Sequence, residues 1–417
     1  MDRTPPEHTS TLHSDSAFSI MIVAGEASGD KHGASLAKAL TQLHPDTNLF
    51  GSGGTEMRAA GVETLVDARD VAIIGVPEIA RAFGKLYRAY RTLLNAARSR
   101  RPAVVVLIDW PDFNMRLARK LHREGFKIVY YISPQVWAWR KYRVRALRRD
   151  VDRMLVILPF EEKFYREAGI EVEYVGHPLA NAVRATCSRD EFCQRHGLDP
   201  ARPIIALLPG SRHKEIHYHL PLMLDAALRL GGTLRICAKR LVEDEFRAKP
   251  QSNAKPQSEM PQFVIPLAST VGREQIEVNG HLDCTIIEED TYNSLCFSEI
   301  AVVASGTATV EAALAGTPMV IIYRGSELNW RLIRPLIHLD TFGMVNLIAG
   351  RRIVPELMQR DANGESIARE VQSVMSDASR LSRMQQDLKG VSEILAAGGS
   401  SAADRAARSV IEVAGKP

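Results

Sequence analysis

The sequence predicts an α/β protein with two Rossmann-like domains, each a parallel sheet flanked by helices. At 417 residues the chain is long enough for two such domains. Short, strongly apolar runs recur along it, and each is followed by a turn and then a helical pattern. Strands that are apolar on both faces are typical of parallel sheets covered by helices on both sides. The clearest runs are Phe18–Val23, Ala103–Ile108, Ile204–Leu208 and Ala301–Ala304.

The predicted division between the domains is the segment Val175-Gly176-His177-Pro178, with His177 interpreted as a hinge or core histidine. Glycine and proline there follow one strand and precede a new series of strand–helix units. The first residues are polar, which predicts a disordered tail and not a signal peptide. The expected parts are a tail over 1–17, an N-terminal domain over 18–178, a C-terminal domain over 179–360, and closing helices over 361–417 that pack on the fold or on a partner subunit.

Composition excludes several classes of function. The net charge of +4 is too small to indicate a nucleic-acid partner. Five scattered cysteines without a CxxC pair favour reduced thiols in the cytosol over a zinc site. No apolar run approaches the roughly 18–20 residues that cross a bilayer, so any membrane contact is expected to be peripheral.

Two further segments are interpreted as surface. Asp150-Val151-Asp152 matches a metal-binding D-x-D pattern but precedes a strand, so we interpret it as a solvated loop and predict no metal and no cofactor. The polar, proline-containing stretch Glu243–Gln262 is expected to be a mobile surface insertion.

The first strand is followed by AGEASGDKHGASLAKAL, which predicts a flexible, glycine-containing turn that enters a helix. Rossmann-like first loops have this form. The segment lacks a strict GxGxxG pattern and the later acidic residue that an NAD site requires. It therefore predicts the first loop of a doubly wound sheet, with Ser28, Gly29 and Asp30 as candidate cleft residues.

A carboxylate directly follows the strand Ala103–Ile108. Asp109 lies at the carboxyl end of that strand, where open α/β sheets bind ligands. Pro111 fixes the turn, and Asp112 and Asn114 follow at the start of the next helix, where Asn114 can act as the cap. We expect Asp109 to face the cleft and Asp112 to shape the turn. The alternative is that one aspartate caps the helix while the other is solvated.

Two tryptophans beside a basic run follow the next predicted strand, in Ser133-Pro134-Gln135-Val136-Trp137-Ala138-Trp139-Arg140. This composition suits a site that contacts sugars or an acyl-phosphate ligand, with Trp137 and Arg140 as candidates. It also suits a core anchor beside a charged helix face, and both interpretations stay open.

An anion site is predicted from two strand–turn–helix units in the second half. One ends in Pro209-Gly210-Ser211-Arg212, where the planar fork of arginine suits a diphosphate and Gly210 allows close backbone approach. The other ends in Ser305-Gly306-Thr307, a turn with an N-cap hydroxyl, before a helix over Ala308–Ala315. Backbone N–H groups and the positive dipole end of that helix would meet an anion.

Glu311 lies one turn further into this second helix, where a carboxylate can accept both hydroxyls of a ribose. The alternatives are an ordinary βαβ crossover for the second unit and a surface arginine for the first.

Residues 79–108 carry seven basic side chains and no acidic one. Apolar residues recur at helical spacing, while several basic residues fall on another face. The pattern predicts a helix that either packs on the core with a solvated basic face or meets an anionic membrane surface. The candidate membrane-contact residues are Ile73, Ile74, Arg81, Phe83, Lys85 and Arg88.

Several motifs together resemble the lipid-A-disaccharide synthase family, and the similarity runs from about Phe18 over nearly the whole chain. The resemblance implies two Rossmann-like domains of the B-type glycosyltransferase (GT-B) fold, with the site in the cleft between them. It makes 18–178 the acceptor- and membrane-side domain and 179–360 the UDP-sugar donor domain. The motifs are Asp109–Asn114, Ser133–Trp139, Val175–Ala180, Leu208–Arg212, Ser305–Ala308 and Asn346–Pro355.

The family joins a UDP-2,3-diacylglucosamine donor to 2,3-diacylglucosamine 1-phosphate (lipid X), which releases UDP and forms a β(1→6) disaccharide for lipid A in Gram-negative bacteria. The resemblance implies an inverting, metal-independent enzyme at the cytoplasmic face of the inner membrane. The closing helices are the candidate surface for a homodimer, although the sequence does not determine the oligomeric state. The resemblance makes Asp109 the catalytic carboxylate. The donor-site residues it implies are Gly210, Ser211, Arg212, Ser305, Gly306, Thr307, Ala308, Glu311 and Asn346.

Two other functions fit the residues. One is a sugar-nucleotide epimerase on the same fold, and the other is a non-catalytic UDP-sugar-binding protein at the membrane. The carboxylate at Asp109 is evidence against a non-catalytic binding protein. UDP release measured with and without acylated acceptor distinguishes an epimerase from a transferase.

Overall fold

The computed structural model describes residues 18–71, 79–139, 141–231, 260–268, 271–273, 276, 284–327, 330–331 and 341–415. Ile73, Ile74 and Arg140 lie outside the described residues, as do the tail and most of the predicted insertion. The side chains of Arg81 and Phe83 are also outside the description.

The N-terminal half forms a seven-stranded sheet in the order β3-β2-β1-β4-β5-β6-β7, and every neighbouring pair is parallel. The two central strands, β1 and β4, are fully buried, as expected for a sheet covered on both faces. The strands are β1 (Ser19–Val23), β2 (Asn48–Gly53), β3 (Glu63–Asp67), β4 (Val104–Ile108), β5 (Ile128–Tyr131), β6 (Arg153–Val156) and β7 (Val172–Tyr174). The helices are α1 (Ala27–Leu43), α2 (Thr55–Ala59), α3 (Ala68–Val71), α4 (Ile79–Arg100), α5 (Pro111–Arg123), α6 (Val136–Trp139), α7 (Val144–Asp150) and α8 (Pro159–Glu167).

The second half forms a six-stranded sheet in the order β10-β9-β8-β11-β12-β13, again with parallel pairs. Its strands are β8 (Ile204–Leu208), β9 (Gln262–Pro266), β10 (Cys284–Ile287), β11 (Ile300–Ala304), β12 (Met319–Tyr323) and β13 (Glu356–Met358). Its described helices are α9 (Arg189–His196), α10 (His213–Arg229), α11 (Thr291–Cys296), α12 (Thr307–Leu314) and α13 (Met344–Ala349). The structure thus has two parallel-sheet α/β domains, which confirms the predicted fold class.

The closing helices are α14 (Gly364–Ser376), α15 (Ala378–Ala396) and α16 (Ala402–Ala414). The first two pack on the second sheet's helices, but α16 crosses back and packs on α1. Ala406 and Val410 of α16 are buried in the same apolar cluster as Ile20 of β1. The chain therefore crosses between the domains twice, once near Val175 and again just before α16.

Arg405 ties the two crossings together. Its Nε donates to the Val175 carbonyl over 2.7 Å, and other guanidinium N–H groups donate to the carbonyls of Ala396 and Ser400. The hinge or core interpretation of His177 fits its position, since it is buried and its backbone N–H donates to the Leu395 carbonyl.

Four local predictions were wrong. Asn114 lies inside α5 and does not cap it; the N-cap position belongs to Trp110. Gly306, without a side-chain hydroxyl, is the N-cap of α12. Asp150 is buried at the end of α7 and pairs with Arg149, so it is not part of a solvated loop. Gln262, assigned to the insertion, is buried in β9.

Candidate active site

A cavity of about 930 Å³ lies between the two halves of the chain. The first half contributes Lys31, Gln135 and Trp137 to its lining, and the ends of β8 and β11 supply much of the opposite wall. The predicted donor residues that line it are Gly210, Ser211, Arg212, Ser305, Gly306, Thr307, Ala308 and Glu311. The structure therefore brings the two predicted anion-binding turns together in one cavity.

The turn before α12 presents backbone donors without a side-chain cap. The N-cap is Gly306, which has no side chain that could accept from the first N–H groups. The first turn of the helix also contains no acidic residue. The Thr309 hydroxyl donates back to the Gly306 carbonyl over 2.8 Å and so does not compete for these N–H groups. This helix start is suited to an anionic group.

The turn before α10 is capped internally instead. Glu215 accepts hydrogen bonds from the backbone N–H groups of Ser211 (2.9 Å) and Arg212 (3.3 Å). It also pairs with the Arg212 guanidinium at 3.2 Å, although that side chain is 81% exposed. Gly210 has φ +122° and a β-carbon there would press on Glu215, so only glycine fits. The sequence analysis did not predict a role for Glu215.

Glu311 is half-buried on the cavity wall. Burial raises the pKa of its carboxyl group, and the positive charge of Lys31 acts in the opposite direction. Lys31 belongs to α1 of the other half, so its effect on Glu311 crosses the cleft. Lys31 was not among the predicted cleft residues of this segment, which were Ser28, Gly29 and Asp30.

Asn346 is fully buried and does not line the cavity. Its Oδ1 accepts from the N–H groups of Ile353 (2.8 Å) and Val354 (3.1 Å), and its Nδ2 donates to Glu356 over 2.7 Å. Glu356 in turn accepts from the Gly343 N–H. Asn346 thus braces α13, whose Met344 and Leu347 reach the cavity.

Asp109 lies at the carboxyl end of β4 in a left-handed backbone conformation, with φ +45°, and Trp110 follows with φ +49°. Such conformations are strained for residues other than glycine and need surrounding support. The Tyr130 hydroxyl donates to the Asp109 carbonyl over 2.6 Å, and the Asn114 amide donates to the same oxygen over 2.8 Å. These two bonds hold the turn in place.

The Trp110 indole also supports the turn. It stacks on Phe113 with 3.8 Å between ring centroids. The indole also lies against Gly25, where a β-carbon would overlap it. The glycine of the first loop is therefore needed for close packing against the Asp109 turn.

The Asp109 carboxyl group is half-buried and is not among the residues that line the cavity, so its expected position in the cleft stays a prediction. Burial, followed by the charge of Glu26, raises its pKa to about 6, although a backbone hydrogen bond from Trp110 acts the other way. A base with a pKa near the working pH is favourable for proton abstraction. Glu26, at the N-cap of α1, is a second residue that sequence reasoning missed.

Asp112 has different surroundings. Its carboxylate is 67% exposed and accepts from the Arg143 guanidinium over 2.5 Å. It lies in the first turn of α5, where a negative charge complements the helix dipole. The two aspartates therefore differ in burial and in partners.

The three candidates on α1 also differ. Ser28 is exposed, while Gly29 is buried against Ala24. Asp30 is buried, and its carboxylate accepts from the N–H groups of Gly54 (2.6 Å), Glu56 (3.0 Å) and Met57 (3.1 Å). Asp30 thus caps α2 and does not line the cavity.

Trp137 meets both interpretations that the sequence left open. It lines the cavity, and it is also buried in the apolar core of the second half. Its indole N–H donates to Glu161 over 3.0 Å.

The basic helix α4 packs on the first sheet through Ala89, Leu93 and Ala97, while Lys85 and Arg88 are exposed. In the part of the chain that the structure describes, every helix is too short or too polar to span a bilayer. The same part of the chain contains no group of three or more His, Cys, Asp or Glu side chains that could hold a metal ion.

Comparison with known proteins assigns the family. The family model for lipid-A-disaccharide synthetase matches residues 20–410. The lipid-A-disaccharide synthase of Koribacter versatilis is 43% identical over 402 residues, which cover 95% of this chain and 98% of the relative. Those of Geobacter sulfurreducens and Myxococcus xanthus are each 42% identical over 400 residues, covering 95% and 94% of this chain and 97% of each relative.

Solved structures agree on the fold. The glycotransferase of kitacinnamycin has a TM-score of 0.59 at 14% identity, covering 95% of this chain and 99% of that one. The UDP-GlcNAc 2-epimerase of Neisseria meningitidis has a TM-score of 0.55 at 11% identity, covering 91% and 98%. At such identities these similarities show the fold alone, which is GT-B. On the family match and its relatives, the chain belongs to the lipid-A-disaccharide synthase family and is a glycosyltransferase of lipid A biosynthesis.

Proposed function

We propose that this enzyme condenses UDP-2,3-diacylglucosamine with 2,3-diacylglucosamine 1-phosphate by a single inverting displacement, with Asp109 as the base. Asp109 takes the proton from the 6-hydroxyl of the acceptor as that oxygen attacks C1 of the donor sugar. The bond from C1 to the diphosphate breaks as the new β(1→6) bond forms, and UDP leaves. The observation that carries this role is the half-buried Asp109 carboxyl group, with its raised pKa, at the carboxyl end of β4.

The donor is proposed to bind against the second domain. The leaving diphosphate accumulates negative charge, which the uncapped start of α12 and the exposed Arg212 guanidinium would stabilise. Glu311 accepts the ribose hydroxyls from its place one turn into α12. Domain closure would exclude water, which otherwise hydrolyses the donor.

The acceptor is proposed to bind on the N-terminal side, close to an anionic membrane surface that α4 approaches. The exposed Lys85 and Arg88 support this, because each cation near such a surface contributes about 1 kcal/mol. A Lys85/Arg88→Ser double variant should bind anionic vesicles more weakly than the parent at low salt. Equal sedimentation of the two proteins would leave α4 with a packing role only.

The closing helices are further proposed to support a homodimer on the cytoplasmic face of the inner membrane. Ile394 of α15 is 44% exposed, which leaves an apolar side chain available to a partner. Analytical ultracentrifugation of the parent and of an Ile394→Glu variant tests this, and a monomeric parent would refute it.

The decisive assay supplies acylated UDP-glucosamine with and without its monophosphate partner and identifies the products by mass spectrometry. We expect UDP release to require the acceptor and a disaccharide 1-phosphate to appear. Epimerised donor, or UDP release that ignores the acceptor, would contradict the proposal.

A further inference from the structure

A buried carboxyl group without a role in the proposed reaction lies behind the cavity wall. Glu161, at the third position of α8, is 1% exposed. Its Oε1 accepts from the Ser133 hydroxyl over 2.6 Å and from the Trp137 indole N–H over 3.0 Å. Its Oε2 accepts from the Leu158 backbone N–H over 3.2 Å. Burying a carboxylate is costly, and the three hydrogen bonds offset part of that cost.

The segment that Glu161 holds forms the first domain's share of the cavity. Gln135 and Trp137 line the cavity, while Ser133 lies buried beneath them. A second residue of α8 grips the same segment, because the Tyr165 hydroxyl donates to the Pro134 carbonyl over 3.0 Å. Three hydrogen bonds thus connect α8 to the Ser133–Trp137 loop.

Trp137 also connects the domains. Its ring meets Phe160 edge-on with 4.9 Å between centroids, and Trp137 and Leu158 belong to the apolar core of the second domain. Phe160 and Phe164 of α8 pack against that core too. Any shift of the indole would therefore change both the cavity wall and the contact between the domains.

We propose that Glu161 is a positioning residue for the donor cavity, which fixes Trp137 and the Ser133–Trp137 loop as the wall opposite the donor-binding turns. The proposal rests on the proposed donor site, because it takes this cavity to hold the donor. Glu161 does not contact the reacting atoms; it acts through the indole.

The ionisation of Glu161 gives this role a measurable signature. Burial raises its pKa to about 7, while the bonds from Ser133, Trp137 and the backbone act in the opposite direction. The other titratable groups that interact with it are Tyr165 on α8 and Tyr174 on β7, whose pKa values burial raises first and the Glu161 charge raises further. Among the described residues, Glu161 has no salt bridge to a lysine, arginine or histidine. A proton on the carboxyl group would weaken these hydrogen bonds, because a neutral carboxyl group is a poorer acceptor than a carboxylate.

The first test follows the indole directly and needs no substrate. The chain has four tryptophans, so protein labelled with 5-fluorotryptophan gives four ¹⁹F resonances, and Trp137→Phe identifies the one that matters. Between about pH 5 and about pH 8.5 we expect that resonance to titrate with a midpoint well above that of an ordinary glutamate. The titration should vanish in Glu161→Gln and persist in Glu162→Gln, a matched charge removal on the same helix. A resonance that does not titrate, or titrates equally in Glu161→Gln, overturns the proposal.

The second test measures steady-state turnover with varied donor. Glu161→Gln should raise the donor KM roughly three- to tenfold, as expected for a weakened hydrogen bond to a charged group, with kcat almost unchanged. Glu162→Gln should change neither constant. In a Trp137→Phe background, Glu161→Gln should add little, because the bond through which it acts is already missing.

The outcomes separate the two proposals. The expected titration with an unchanged donor KM would overturn the assignment of this wall to the donor site. A Trp137 resonance that does not titrate in the parent would overturn the role of Glu161 and leave the donor-site proposal untouched. If Glu161→Gln does not fold, Ser133→Ala removes one donor and retains the carboxylate. It should move the Trp137 titration midpoint upward, and an unmoved midpoint would count against the proposal.

Discussion

The two proposed parts of the site, the Asp109 turn on the first domain and the donor turns on the second, are built in opposite ways. On the first domain, Asp109 is half-buried, its backbone is left-handed, and Tyr130 and Asn114 hold its carbonyl. On the second domain, Arg212 is 81% exposed and the start of α12 carries no side-chain cap. A base must be fixed and partly desolvated so that its pKa approaches the working pH, whereas a diphosphate cradle needs open donors that its ligand can reach. The difference predicts that the two sides fail in different ways when they are mutated.

The largest expected effect is on turnover, from Asp109→Asn. The change keeps the size of the side chain and removes the proton acceptor, so kcat should fall by roughly 10²–10⁴ while UDP affinity stays near that of the parent. The test is steady-state turnover together with calorimetric titration of UDP. Near-parental turnover would remove Asp109 from the role of base.

The same variant carries a stability signature. A raised pKa means that folding disfavours the ionised carboxyl group, so this contribution to the parent's stability is full below about pH 4 and is lost as pH rises through about 6. Asp109→Asn does not titrate and should therefore gain stability relative to the parent across that window. Thermal melts at both ends of the window check the sign.

Substitutions in the donor turns of the second domain should weaken UDP binding. Arg212→Ala should lose one or two charge-assisted hydrogen bonds to the diphosphate, each worth roughly 1.5–3 kcal/mol, so UDP affinity falls by about tenfold or more. Lys214→Ala removes an exposed charge from the same helix outside the cavity lining and is the matched control. Unchanged UDP affinity in Arg212→Ala, measured by calorimetry, would refute its assignment.

Part of this contrast was visible in the sequence. Asp109 could be located because it directly follows a buried apolar run, and Arg212 because it lies in the turn after another. The carboxyl ends of parallel strands meet at one edge of a sheet. The capping residues could not be located in the same way. Glu215 caps α10 through its side chain, and Gly306 begins α12 with no side chain at all, yet both turns share the pattern of small residues after a strand.

Long-range partners were also invisible to pattern reasoning. Glu26 raises the pKa of Asp109, and Lys31 acts on Glu311 across the cleft, but sequence spacing gives no measure of these distances. Asn346 resembled a donor-site residue in its motif, whereas it is buried on the inner face of α13, where it bonds Glu356. Such pairings depend on how the two sheets face each other, which local periodicity does not encode.

A smaller effect should come from Glu26→Gln. The Glu26 charge is the second cause of the raised Asp109 pKa, after burial. Its removal should therefore shift the midpoint of the acid limb of the kcat/KM profile to lower pH, by less than about one pH unit. In the parent that limb should lie near pH 6, with activity falling at lower pH as Asp109 is protonated. If the midpoint of the acid limb does not move in Glu26→Gln, a group other than Asp109 is responsible for it. The same holds if only substitutions in the second domain abolish the limb.

The smallest expected effect is that of Asp112→Asn, which completes the comparison within the first domain. Asp112 lies only three residues from Asp109, but its carboxylate is 67% exposed and pairs with Arg143 at the surface. Exposed ion pairs and first-turn carboxylates each contribute about 0.3–1 kcal/mol, so the free energy of unfolding should fall by roughly 0.5–1 kcal/mol. Because solvent already screens the pair, the loss should shrink further at high salt. Turnover should change much less than in Asp109→Asn, since Asp112 does not hold the Asp109 carbonyl. Denaturant unfolding at low and high salt, paired with steady-state kinetics, measures both quantities. A loss of rate in Asp112→Asn that exceeds that of Asp109→Asn, with unfolding unchanged, would exchange the roles of the two aspartates.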